Sequence, residues 1–338
     1  MTITSTIISS ILDGVAFGKK THHGSLTMFP LRSEGAGGLE YLTLTEALEA
    51  GFARVSEVSE GGSVPELRLA NTGSLPVLII DGEELVGAKQ NRVANLTIMA
   101  PARATITIPV SCVEAGRWRY SREDFTASKT VHFAMGRAVR TKSVSESLCC
   151  EQSRRSDQGR VWRDISAKAE RMHAASSTSA MAAIFEKHAA RVEDYVAAFG
   201  VNGDSAGAVF AIGEAVVGLD LFDEPSTFRL MMPKLVRSYA VDAIENTEPK
   251  GRGCTRKAAK AFLSGLAAAD VRSYPAVGLG TDIRLTGPGV IGGALAVDEH
   301  LVHMAAFATP EDEVGGTPDG PRPSMARTRL RRRFFEHN

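Results

Sequence analysis

Three stretches of this chain repeat one form: an apolar run, a turn, and a second apolar run. They are VLIIDGEELVGA (77–88), AVFAIGEAVVGL (208–219) and the strand pair around ALAVDEHLVH (294–303). Asp-Gly in the first favours a tight turn, because both residues tolerate positive φ. Glu83, Glu214 and Glu299 fall at equivalent places, as do Val86, Val217 and Val302. A lone hairpin is marginal in water, so segments from both ends of the chain are expected to join a common sheet system. The spacings are unequal, which excludes a solenoid. A duplicated hairpin and three independent hairpins obeying the same turn chemistry both fit.

The intervening sequence completes the picture. Strand-like pieces cover 25–31 and 39–44, and LTEALEAGFARVSEV reads as a helix over 45–50, stopped by Gly51, then a strand. Val64 to Ala70 alternates, and Leu75 to Ile80 reads as a buried strand. In TITIPVSC, Ile106, Ile108, Val110 and Cys112 share one face, while Pro109 marks an edge or bulge. Residues 119–155 are Ser/Arg-rich and poor in large apolar side chains, so a mobile or ligand-ordered basic segment is expected. Ser156 then caps a helix carrying Val161, Ile165, Ala169 and Met172 on one face. A further helix covers 179–198, with a hairpin at 207–222. Ser226 and Thr255 are candidate caps for later helices, and Pro233 should start or kink one of them. Strands return over 271–307.

The expected class is α+β: mixed, mostly antiparallel sheets built from N- and C-terminal hairpins, with helices from the middle of the chain on one face. The expected organisation is an arm at 1–20, a single domain at 21–308, β-rich over 21–118, and a disordered basic tail at 309–338 that ends in RLRRRFF.

Composition excludes several partners. Formal net charge is zero, so wholesale attraction to nucleic acid or anionic lipid is not expected. Charge is uneven, however: Ala115 to Arg163 holds eleven Lys/Arg against five Asp/Glu, which allows a local anion site. Cys112, Cys149, Cys150 and Cys254 form no CxxC, and the histidines lack a ligand set, so neither a disulfide framework nor a metal site is indicated. The segment MTITSTIISSILDG has no basic n-region, and no apolar run approaches the ~18 residues of a membrane span, so a cytoplasmic protein with no membrane partner is expected. GPGVIGG (287–293) matches G-x-G-x-x-G, but strand-like ALAV follows where a dinucleotide site needs a helix.

Candidate chemistry concentrates in three clusters. In LIIDGEELVGAKQNR (78–92), Lys89 and Arg92 can supply charge to a phosphate or carboxylate, and Gln90 and Asn91 directional hydrogen bonds. If the strand persists, Lys89 and Asn91 face one side and Gln90 and Arg92 the other; an exposed strand end is the plainer reading. Glu83 and Glu84 after the turn, with Glu114, are the acid/base candidates. In SCVEAGRWRY (111–120), Gly116 can bend the strand and set Arg117 and Trp118 at a sheet end, a pairing suited to an anion joined to a flat ring. Cys112 reads as a small buried hydrophobe rather than a nucleophile. In RRSDQGRVW (154–162), Asp157 and Gln158 sit at a helix start, where they either meet a ligand or complete the cap.

The blocks GGSVPELR, LIIDGEELVGAKQNR, TIPVSCVEAGRWRY, RSDQGRVW, AVFAIGEAVVGLDLFD, PKLVRSYAVDA and DIRLTGPGVIGGAL resemble the ARPP-1 family across about residues 12–308. The family is named for association with ARG (ADP-ribosylglycohydrolase) and rhodanese-phosphatase proteins. The resemblance therefore implies a phosphorylated nucleotide or ADP-ribose-like ligand, or a partner enzyme such as an ADP-ribosylglycohydrolase. It carries no catalytic residues or cofactor over to this chain. Residues 89–92, 117–118 and 157–158 must converge if they form one site.

Overall fold

A computed structural model describes residues 3–32, 38–59, 61–120, 122–200, 203–246, 253–298 and 300–309. Glu299 and the basic C-terminal run lie outside the described residues.

In chain order, helix α1 (Ile3–Asp13) precedes strands β1 (Ala16–Phe17), β2 (Thr21–His23), β3 (Leu26–Arg32) and β4 (Leu42–Thr43). Helix α2 (Leu44–Glu49) leads into β5 (Ala53–Glu57), β6 (Glu66–Asn71), β7 (Val77–Ile79) and β8 (Glu83–Gly87). Next come β9 (Arg92–Ala94), β10 (Ile98–Ala100), β11 (Ala104–Cys112) and β12 (Phe125–Val131). Helices α3 (Ala134–Glu151), α4 (Gln158–Arg171), α5 (Ala182–Lys187) and α6 (Ala189–Ala198) follow. The chain then forms the hairpin β13 (Gly207–Ile212) and β14 (Ala215–Phe222), and helices α7 (Pro225–Glu245) and α8 (Arg256–Ala267). Strands β15 (Asp270–Pro275), β16 (Thr281–Gly287), β17 (Val290–Val297) and β18 (His300–Ala308) complete it.

The class is α+β. Nine strands from both ends of the chain form an antiparallel sheet in the order β1-β3-β13-β14-β18-β17-β16-β15, with β2 also on β3. Strands β11-β6-β5-β12-β8-β9 close into a barrel, and β10-β7-β4 form a small sheet that contains a parallel pair, β4–β7. Alternation along β3 explains how the large sheet is buried. Leu26 and Met28 enter a core shared with α4–α7, whereas Phe29 and Leu31 enter a second core with α1 and α8. Helices α3–α7 thus cover one face, as expected, and α1 and α8 close the other.

Local signals hold where the chemistry is local. Thr43 and Glu46 form a reciprocal capping box on α2, and Gly51 ends it at φ +73°. Thr255 caps α8 as expected, whereas Ser226 does not cap α7, which begins at Pro225 with Glu224 as its N-cap and contains Pro233. Gly287 ends β16 and Val290 starts β17, so the glycine-rich stretch is a hairpin turn.

Four expectations change. The N-terminal arm is helix α1, whose Ile8 and Leu12 are buried in the core shared with α8. Asp157, not Ser156, caps α4: its carboxylate accepts the Arg160 N–H at 2.9 Å. The stretch 77–88 is no hairpin, because β7 pairs with β10 and β4 while β8 pairs with β12 and β9. The turn at Asp81-Gly82 sends the two strands to different sheets. Finally, 119–155 is not an unpacked segment, since it holds β12 and the 18-residue helix α3.

The buried face of α3 is charged, which is why it reads as an unpacked segment. Arg137 donates through Nε to Asp81 (3.1 Å) and through Nη1 and Nη2 to Asp220 (3.1 and 2.6 Å). Arg140 donates to Asp81 (2.7 Å) and to His132 Nδ1 (2.6 Å). All these side chains are buried. An arginine has no acceptor, so His132 must offer an unprotonated Nδ1 and stay neutral. Gly136 is required beside it, because a Cβ there would run into the His132 ring. Burial, with Arg140, Arg137 and Lys168 close by, holds the His132 imidazole well below the usual histidine range. The unfolded chain takes up this proton near pH 6.5 and the folded chain does not, so stability is lost as pH falls through that value. Below about pH 6 the wild type should lose up to ~1.4 kcal/mol per pH unit more than His132→Gln, read from urea denaturation at each pH. Parallel profiles for the two proteins would contradict a neutral buried His132.

Candidate functional site

The polar run after β8 is not a strand. Ala88 takes φ +34°, the chain turns back, and β9 begins at Arg92, so Lys89, Gln90 and Asn91 form the loop of a barrel hairpin. This loop meets the segment leaving β5 and the segment leaving β11, and together they make one mouth of the barrel. Lys89 donates to the Gly61 carbonyl at 2.8 Å, and its Nζ lies 5.4 Å from the Trp118 ring and 5.1 Å from that of Tyr120.

Arg117 is the clasp of this mouth. Its guanidinium donates to the carbonyls of Gly87 (3.3 Å), Ala88 (2.7 Å) and Arg119 (3.0 Å), and to Asn91 Oδ1 (3.0 Å). It also pairs with Glu114 at 2.8 Å. Both Glu114 oxygens are occupied, Oε1 by Thr178 and Oε2 by Arg117 and the Asn91 N–H. Those donors outweigh burial and hold its carboxyl below the usual glutamate range. Gln90 donates to the Glu114 carbonyl at 2.9 Å. Gln158, from the first turn of α4, reads both backbone groups of Cys112, accepting its N–H at 2.7 Å and donating to its carbonyl at 2.8 Å.

Residues 89–92, 117–118 and 158 therefore converge. Asp157 does not: its carboxylate is exposed, turned to the Arg160 N–H and to Arg163 at 3.8 Å. The expected division of Lys89 and Asn91 from Gln90 and Arg92 by strand alternation also fails, because the loop turns instead. Two acid/base candidates point elsewhere. Glu83 is wholly buried and ion-paired with Lys234 of α7 at 2.6 Å. Glu84 lies on the opposite face of β8 from Leu85, outside the barrel, and accepts the Thr130 hydroxyl at 2.6 Å. Burial raises its pKa, while Thr130 and Ser128 oppose the shift.

What remains available is Arg92. It stands opposite Leu85 and Cys112 in the barrel register and shares their face, so its side chain enters the barrel interior, as does that of Cys112. Arg92 is completely buried beneath Trp118, whose ring centre is 5.8 Å from the guanidinium carbon. Nη1 donates to Gln90 Oε1 at 3.1 Å, but Nε and Nη2 have no partner. Glu57 projects into the same interior, two residues on from Val55 and opposite Leu67, and neither of its carboxylate oxygens has a partner. Burial pushes the Arg92 pKa down, and the Glu57 carboxylate partly restores it. Burial likewise raises the Cys112 thiol, whose S–H lies 3.2 Å from Gln90 Oε1, so it is no thiolate nucleophile. Glu57 escapes sequence reasoning because ARVSE looks like any alternating strand; only its odd-numbered register with Ala53 and Val55 hinted that it faces inward.

The barrel packs against the large antiparallel sheet and ends in a polar, aromatic-rimmed mouth. Among the described residues no group of three or more His, Cys, Asp or Glu could hold a metal ion. No described helix is long and apolar enough to cross a membrane. The chain belongs to the ARPP-1 family, described as the ARG and Rhodanese-Phosphatase-superfamily-associated Protein domain, which it matches over residues 14–307. Searches of curated proteins and of solved structures gave no match.

Arg117→Ala should lower the free energy of unfolding by about 2–4 kcal/mol, since it removes the countercharge of the half-buried Glu114 carboxylate and frees the 88–91 loop. Urea denaturation checks this, and wild-type stability in the variant would show that Arg117 is not the clasp.

Proposed function

We propose that this ARPP-1 domain binds a phosphorylated nucleotide or ADP-ribose-like ligand at the barrel mouth. One observation carries the reading: Arg92 and Glu57 are buried together with two donors and two acceptors unused. Buried polar groups in native proteins are nearly always paired, and leaving them unmade costs about 1–3 kcal/mol each. A ligand that presents an anionic acceptor next to a hydroxyl donor satisfies both. Phosphate takes the forked Nε–H and Nη2–H of Arg92, and a ribose hydroxyl donates to Glu57. Trp118, 49% exposed, swings off Arg92 to admit the ligand and then stacks on its base, with Lys89 adding charge at the rim. Gln90, Asn91, Arg117 and Gln158 hold the mouth in shape instead of touching ligand. Turnover would need an acid or base beside the ligand, and Glu57 is the carboxylate so placed.

A second reading has its own observation. Trp118 and Tyr120, both about half exposed on the rim, suit an adaptor or sensor that docks on a partner enzyme such as an ADP-ribosylglycohydrolase. In that case the buried strip 90–92 shapes the rim and is not itself the interface.

Thermal unfolding with ADP-ribose, NAD, mononucleotides and inorganic phosphate separates them. At ~100 times its dissociation constant a true ligand should add roughly 2.7 kcal/mol to apparent stability. We expect that gain in wild type, its absence in Arg92→Met, and a reduced gain in Trp118→Ala. A wild type indifferent to every ligand, or an undiminished gain in Arg92→Met, refutes the binding reading. Partner capture lost in Trp118→Ala would then favour the adaptor.

A further inference from the structure

A cleft of about 560 Å³ opens between α3, α4, α7 and the turn end of the β13–β14 hairpin. That volume is within the range of small-molecule sites. Its floor is apolar: Phe133, Ala138 and Val139 line it from the α3 side, and Ile212, Val216 and Val217 from the hairpin. Such a floor favours an occupant that brings apolar surface out of water.

The charged side chains around the floor are committed within the protein. Lys168 of α4 pairs with Asp242 (2.6 Å) and Glu245 of α7, and Arg171 pairs with Glu245. Lys142, on the α3 side, is engaged as well. A charged occupant would either break one of these pairs or give up its hydration without a countercharge, and both are costly.

Two polar atoms of the lining are not committed. Asp164 Oδ2 and Thr309 Oγ1 are shielded from solvent, and neither has a hydrogen-bond partner among the described residues. Arg160 Nε stands 3.9 Å from Asp164 Oδ2, close enough for charge attraction but too far for a hydrogen bond. Burial raises the Asp164 pKa, as it does for a carboxylate that has lost water without gaining a donor. A carboxylate oxygen only accepts, so what Asp164 lacks is an O–H or N–H. The Thr309 hydroxyl rotates to donate or accept and sets no opposing demand.

We infer that this cleft is a second binding site, for an uncharged, largely apolar molecule whose body lies on Val139, Val216 and Val217 and whose hydroxyl donates to Asp164. An organic anion is turned away by that carboxylate, and an ammonium by Arg160 beside it. A plain hydrocarbon gains the floor but leaves Asp164 without a donor. The site is separate from the barrel mouth: Gln158 faces Cys112, whereas Arg160, two residues on, lines the cleft.

The probe is 2-naphthol, uncharged at neutral pH, titrated calorimetrically into the full-length folded protein. The expected result is one saturable site. Its methyl ether, 2-methoxynaphthalene, has no donor and should bind about tenfold more weakly. Naphthalene-2-carboxylate and 2-naphthylmethylamine should also bind more weakly than 2-naphthol. Asp164→Ala should hold 2-naphthol and its ether equally, whereas Val217→Glu should weaken both about tenfold or more by spoiling the floor. Both variants should keep the wild-type response to ADP-ribose and phosphate, so failure here is distinguishable from failure at the barrel mouth. Absence of saturable binding, a carboxylate or amine that binds as tightly as 2-naphthol, or a preference for 2-naphthol over its ether that survives Asp164→Ala would overturn the inference. A variant that unfolds is recognised by its thermal transition and replaced by Asp164→Leu or Val216→Glu.

Discussion

Arg137 has two carboxylates to satisfy, and they belong to different sheets. Asp81 sits in the turn that enters the barrel, and Asp220 is on β14 of the nine-stranded sheet. Asp220 also accepts the Tyr239 hydroxyl from α7 and lies 3.4 Å from His303 Nε2, whose Nδ1 bonds Thr97. Fully buried ion pairs are costly to desolvate and hold only when their geometry is complete. Here the barrel, the large sheet, α3 and α7 must dock together before the Arg137 network closes. Its closure fixes α3 against both sheets and ties down the Asp81-Gly82 turn, at which β7 and β8 part company. The barrel hairpin that carries the mouth depends on that parting.

Small barrels fill their interiors with apolar side chains, and this one does so for most of its length. The exception is the mouth, where Arg92, Cys112 and Glu57 replace the expected aliphatics. The surrounding polar groups are thoroughly paired: Gln90, Asn91, Glu114, Arg117 and Gln158 bond one another or nearby backbone. Unused donors and acceptors are therefore concentrated on two facing residues. A structural role for Arg92 would have been met more cheaply by a leucine, which is the physical reason to place a ligand there.

Much of the architecture was legible in the sequence because it rests on local chemistry. The stop of α2 at Gly51, the hairpin at 207–222 and the β17–β18 pair could be read from turn residues and alternation alone. Helix α3 could not, because its buried stripe contains Arg137 and Arg140, whose carboxylates lie 56 to 83 residues away in sequence. Without those partners the same residues describe a solvated basic segment. The site shows the same division. Its convergence was foreshadowed by the density of polar residues at 89–92 and 117–118. Their roles were not, because Arg117 is held mainly by backbone carbonyls, which carry no residue identity, and Glu57 sits in an unremarkable strand.

Whether ligand reaches the barrel interior can be read at the Arg92 guanidinium itself. Side-chain ¹⁵Nε NMR of arginine, with Arg92→Lys used for assignment, can be followed through a titration with ADP-ribose and then with inorganic phosphate. The Arg92 Nε–H signal should move and gain protection from exchange as ligand is added, while the already bonded Arg117 signal changes little. An Arg92 signal that stays unmoved at saturating concentrations of every phosphorylated ligand would contradict binding at Arg92, and would leave the buried Arg92–Glu57 pair as an internal feature of the barrel.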